Sequence, residues 1–279
     1  MVAQEVVGAP ARAEIVAALS HDHGCHPYSK WRGAHWRLAS LAELAPPGHP
    51  AALAAAEATL GWLASPRRLR SFASLEGRVR RCASQDGLAV YSCCRIGLAG
   101  DERIRTLAES LVATQWPDGG WNCDRRPEAS HSSFHESWAP IMGLAEYARA
   151  GGDGGAREAA DRGAEFLLRH RVYRSDRTGE PANPALLRLR YPPYWHYDLL
   201  AGLVTLERSV GLGDARTADA LDVLEAKRRA DGTWRTEGRW WKRPGSKGSG
   251  VEAVDWGEAA DELLTERAVR VLRAAGRLS

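Results

Sequence analysis

The chain has 279 residues, 44% of them apolar, with 38 Lys and Arg against 35 Asp and Glu for a formal charge of +3. The signs are interspersed with no basic block to announce nucleic acid, and no apolar stretch approaches the ~18 residues that span a bilayer. Charges interrupt the first apolar runs, which argues against a secretory leader, and five cysteines without framework spacing fit a reducing cytoplasm.

Taken in order, residues 1–10 read as a loose lead-in and 11–20 as a short helix. His21, Asp22, His23, Cys25 and His26 are dense in potential ligands, but no second cluster matches them, so they read as a polar loop. A helix over 31–45 carries His35 and Trp36 and stops at Pro46-Pro47-Gly48. The Ala-rich run 50–64 is strongly helical. A connector bearing Arg67, Arg68, Arg70, Arg78, Arg80 and Arg81 follows; it reads as a solvated face, with an anion site as the alternative. Residues 82–98 are apolar or small almost all round, so this helix should be buried on most faces, with Cys93 and Cys94 as small core residues.

The amphipathic run 101–115 leads into Gln115-Trp116-Pro117-Asp118-Gly119-Gly120-Trp121, where Pro and the Gly pair force a turn. Ser132 or Ser133 can cap the next helix, with Glu136 behind in the manner of a capping box. Helices over 135–149, 156–171, 199–210 and 214–228 follow. The turn then returns as Arg228-Arg229-Ala230-Asp231-Gly232-Thr233-Trp234, position for position with 115–121. Residues 239–256 read as a mobile, basic, Gly-rich loop before a closing helix over 258–276. A unit of two helices and a turn, recurring every 50 to 60 residues or roughly so, marks a stacked or closed helical array. Helices wet on one face alternate with helices that hide most of their surface. The expectation is one all-α domain over 1–279, an α/α toroid of about five hairpins with amphipathic outer and apolar inner helices.

The Gln115…Gly119-Gly120-Trp121 turn resembles the Gln-Trp repeat of the squalene and hopene cyclases. More broadly the chain resembles the αα-toroid superfamily, which includes the protein prenyltransferase β subunits. The resemblance implies the fold, an axial cavity and terpenoid-type chemistry on a largely apolar small molecule. The Asp-x-Asp-Asp acid of the class II cyclases is absent. Asn122-Cys123-Asp124 reverses the Asp-x-Cys of the prenyltransferase zinc site and precedes the inner helix.

In such a barrel the inner helices start at one rim, where their dipoles favour anionic groups. This places His35, then Cys82, Gln85 and Asp86, then His135 and Glu136, then Trp195, His196, Tyr197 and Asp198 around a shared mouth. For an enzyme, His135 and His196 would be acid–base groups oriented by Glu136, and a desolvated Asp86 or Asp198 would donate the proton. His35, Trp36, Gln85, Trp121, Trp138, Trp195 and Tyr197 would line the substrate pocket. A zinc site drawn from Cys82, Cys123, His135 and His196, with a carboxylate, is the metal-dependent version. The alternatives are a non-catalytic toroid binding a ligand or peptide, and a glycan-processing α/α barrel.

Overall fold

Each periodic run becomes helical. The computed structural model describes residues 8–278, so most of the expected lead-in lies outside the described residues. The elements are α1 (Ala9–Ser20), α2 (Ala34–Leu44), α3 (Pro50–Leu63), α4 (Pro66–Leu69), strands β1 (Ala73–Leu75) and β2 (Arg78–Arg80), α5 (Ala83–Arg95) and α6 (Glu102–Ala113). Then come α7 (Phe134–Arg149), α8 (Gly154–Arg169), α9 (Leu199–Ser209), α10 (Ala218–Ala226) and α11 (Ala259–Ala274). Among the described residues the two short strands form the one sheet, an antiparallel hairpin with Ser74 opposite Val79. No described helix is long and apolar enough to cross a membrane.

The apolar helices neighbour one another in the order α2, α5, α7, α9, α11, and α3, α6, α8 and α10 each pack against them. Arg267 of α11 donates to Glu43 of α2 at 2.5 Å, a side-chain link between the last and the first of these helices. Small residues set the tightest contact. A side chain on Gly87 would lie 2.2 Å from the backbone nitrogen of Pro140, and one on Gly143 would lie 2.5 Å from the Gly87 carbonyl. Helices α5 and α7 thus pack backbone against backbone, which brings their N-termini side by side.

The repeat holds at the level of hydrogen bonds. The indole N–H of Trp121 donates to the Leu111 carbonyl at 3.0 Å, and that of Trp234 to the Leu224 carbonyl at 2.7 Å. Ser137 Oγ accepts from the Trp121 amide as Thr265 Oγ1 does from Trp234. The Gln missing from the second turn is replaced in function: Gln115 Nε2 donates to the Gly119 carbonyl, and Arg228 Nε donates to the Gly232 carbonyl. Both glycines have positive φ, +100° and +86°, which a side chain resists. Asp101 and Asp214 cap the helical turns after them, and Arg103 and Arg216, two residues on, reach back to Glu57 and Glu165 of preceding outer helices.

Two expectations change. The 239–256 segment buries Trp241, Val251, Glu252, Val254 and Trp256, so its inner face belongs to the core although its sequence spells a surface loop. In the basic connector, Arg80 and Arg81 are each only 2% exposed. Arg67 and Arg70 do lie exposed, but the connector is not a solvated face at Arg80 and Arg81, whose guanidinium groups turn inward toward acceptors contributed by other elements.

Between the five apolar helices the space is largely filled. Tyr191–Tyr194 cross it together with Leu88, Tyr91, Trp138 and Val204, leaving about 40 Å³. At roughly 10–15 Å³ of such space per water molecule, this holds about three or four waters at most.

Candidate functional site

The closest gathering of reactive side chains lies where α5 and α7 begin. Cys82 is the N-cap residue of α5 and Glu136 sits in the first turn of α7. Cys123 follows the Trp121 turn, which the Ser133 amide pins by donating to the Trp121 carbonyl at 2.8 Å. The Arg81 amide donates to the Asn122 carbonyl at 3.1 Å, so the segments leading into the two cysteines are tied together. As a result, the Cys82 and Cys123 sulfurs and a Glu136 oxygen all lie within 4.8 Å of one another.

Glu136 does not close a capping box on its own helix. Its Oε2 accepts the Ser84 amide at 3.0 Å, capping α5 from the neighbouring helix. It is buried, and burial raises its pKa against the opposing bonds from Ser84 and Cys123. The neighbouring Cys123 thiol lowers the Cys82 pKa despite burial, while Cys82, burial and Glu136 raise that of Cys123. Both cysteines are half-buried. Gln85 and Tyr28, also half-buried, stand beside them, and burial pushes the Tyr28 phenol up to about 12, so it stays protonated.

The rim residues expected from sequence do share one end of the helices, but they divide by task. The His135 and His196 rings lie 6.3 Å apart, and His135 faces Trp195 at 5.6 Å. His135 Nδ1 accepts the Tyr197 amide at 2.8 Å, which leaves its proton on Nε2. Burial lowers its pKa. His196 is sandwiched between Trp195 and Trp240 at 3.9 and 3.7 Å, and burial with His135 nearby lowers it to about 3. It is therefore neutral at ordinary pH. Among the described residues neither histidine joins the thiol–carboxylate set.

Asp86 is a structural anion instead of an acid. It is fully buried, and its oxygens accept from Arg68 Nη1 at 2.7 Å, Arg68 Nη2 at 3.1 Å and Arg81 Nη2. Burial alone would raise its pKa, but the two guanidinium groups overcome that and hold it below the ordinary 3.8. Asp198 is also committed: its carboxylate caps α9 through the Ala201 amide and accepts the Arg190 amide, while burial raises it to about 6. Trp121 is completely buried as the anchor of its turn, and the Tyr197 hydroxyl is buried on the Val172 carbonyl at 2.6 Å; neither lines a pocket. Trp36 is buried with its indole N–H on the Tyr28 carbonyl, and Trp138 lines the small axial space. His35 is buried among Tyr28, Trp36 and Trp62 with both ring nitrogens unpaired, and burial lowers it to about 3. Of the expected lining residues, Gln85 and Trp195 remain half-exposed at the mouth.

Sequence reasoning missed Tyr28 and the inward Arg80. Both were visible only as a tyrosine in a polar loop and one arginine among six. No protein-family model matches the chain, and no curated protein matches it either.

Proposed function

We propose that the chain is a zinc-dependent enzyme acting on a small molecule at the rim, with Cys82, Cys123 and Glu136 as the metal donors. The observation that carries this is the convergence of two thiols and a carboxylate within 4.8 Å. The donor set suits the ion: zinc takes thiolate and carboxylate ligands, and catalytic sites use three protein donors with one position open. A tetrahedral site needs sulfur atoms roughly 3.8 Å apart, so at most about 1 Å of side-chain movement closes it. A bound zinc supplies Lewis acidity, polarising a substrate oxygen or acidifying a water. The chain's own groups then bind and orient. Glu136 is held by the Ser84 amide, Gln85 and Tyr28 present hydrogen bonds at the mouth, and His135 offers an Nε2–H.

A toroid of the cyclase and prenyltransferase kind is part of the proposal. It is supported by the order of the five apolar helices, the Glu43–Arg267 link between first and last, and the matching Trp121 and Trp234 turns. The axial space of about 40 Å³ favours chemistry at the mouth over a terpenoid swallowed whole. Five free cysteines suit a reducing cytoplasm.

Metal analysis of untagged protein grown with zinc should give about one zinc per chain, lost in Cys82→Ser and Cys123→Ser. Well under one zinc per wild-type chain sinks the reading.

A further inference from the structure

Beside the two cysteines lies a cleft of about 160 Å³ with Arg68, Arg80, Arg81 and Arg125 in its lining and no carboxylate. Arg68 and Arg81 are already committed to Asp86, so they contribute positive field more than open donors. Arg80 differs. It is 98% buried by its 2% exposure, its guanidinium stacks 4.5 Å from the Trp116 ring centre, and Nη1 donates to the Ala129 carbonyl at 2.7 Å. Its Nε and Nη2 are buried and have no hydrogen-bond partner, so they are open in the sense of being unpaired. Those two N–H groups form one edge of the guanidinium, the fork that pairs with two oxygens of a carboxylate or phosphate. Arg125 stands exposed at the lip with no hydrogen-bond or ion-pair partner among the described residues.

We infer that this cleft is the subsite for an oxyanion carried by the substrate, gripped by the open edge of Arg80 and by Arg125, with its reacting end at Cys82, Cys123 and Glu136. The inference rests on the rim being the working site, and it replaces a wholly apolar substrate with one that is anionic at one end. The geometry is self-consistent: Cys82 and Cys123 line the same cleft, so a small molecule anchored on Arg80 needs no second opening to reach them.

The test is titration of phosphate and of acetate into the protein at constant ionic strength against chloride, with and without chelator, read by calorimetry. Saturable binding of at least one anion, weakened about fivefold or more by Arg125→Ala and lost in Arg80→Met, is expected. The tighter of the two identifies the headgroup. The methionine preserves packing on Trp116; if that variant fails to fold, Arg125→Ala decides alone. No saturable binding of either anion, or binding unchanged by the substitutions, overturns the inference. Because anion binding is read without metal as well, a protein that binds anion but no zinc would fail the zinc reading and leave this one standing.

Discussion

Replacing Asp86 by Asn should cost stability first and chemistry only through it. The substitution keeps shape and removes one charge from between two arginines. Arg81 has no exposed side-chain surface and Arg68 has 12%, so neither can turn to solvent without unpacking. Removing one partner of a buried ion pair costs about 3–5 kcal/mol, most of it the charge left behind. Arg81 keeps three other acceptors, the Ser110 carbonyl, Ser110 Oγ and Thr114 Oγ1, and Arg68 keeps Gln85 Oε1 and the Leu63 carbonyl. The loss therefore belongs at the low end, about 3 kcal/mol. In a chain of this size that lowers the melting temperature by roughly 6–10 °C. The pH dependence follows from the direction of the shift. The folded pKa is depressed below 3.8, so the contribution is full above that value and fades as the pH drops through the folded pKa. Thermal unfolding of both proteins, near neutrality and again in acid, should show a gap that narrows in acid. A variant melting with the wild type at neutral pH would refute the structural role and return Asp86 to the reacting groups.

Gly87→Ala places a methyl 2.2 Å from Pro140 N and should cost about 1–3 kcal/mol while prising Glu136 from Ser84, so chemical denaturation and zinc affinity should both suffer. Gly61→Ala, with nothing within 4 Å in the last turn of α3, should leave stability unchanged or raise it by up to ~1 kcal/mol; equal losses in the two would mean the close packing is not what matters. For Asp198 the folded pKa is raised from 3.8 to about 6, so the folded state holds the extra proton and wild-type stability falls as pH rises through that window. Asp198→Asn removes this term, and urea unfolding between about pH 4 and about pH 7 should show the variant gaining on the wild type by on the order of 3 kcal/mol. A constant difference across the window would show that burial does not govern this carboxylate.

Local rules made the helices legible. Their 3.6-residue spacing, the glycines and prolines that stop them and the Gly-Trp turns are all short-range, so positions 115–121 and 228–234 announced one structure twice. The substitution of Arg228 for Gln115 looked like a loss in sequence and is a conserved contact in space, because either side chain reaches the carbonyl four residues on. What stayed hidden depends on partners far along the chain. Glu136 spends its Oε2 on Ser84, and Arg80 meets Ala129 and Trp116. The charge pattern around 67–81 carried no sign that two of its arginines turn inward. The 239–256 segment misled for the opposite reason: its glycines are visible, while the walls that receive Trp241 and Trp256 come from elsewhere.

Position at an inner helix start therefore says where a polar residue stands and not what it does. The useful distinction is whether its hydrogen-bonding capacity is already spent. Asp86 and Asp198 have both oxygens occupied by protein donors, and His196 is pressed between two indoles, so each has little left to offer a ligand. Cys82, Cys123 and Arg80 line a single cleft and retain unspent lone pairs or donors, those of Arg80 on two buried N–H groups. An unmet buried N–H costs about 1–3 kcal/mol, and the fold bears two of them on one guanidinium. His35 is unpaired too, but aromatic rings enclose it, whereas Arg80 lines the cleft that holds the thiols. An oxyanion entering the cleft would meet those two N–H groups, and the anion titration of the Arg80→Met variant is the measurement that reads it.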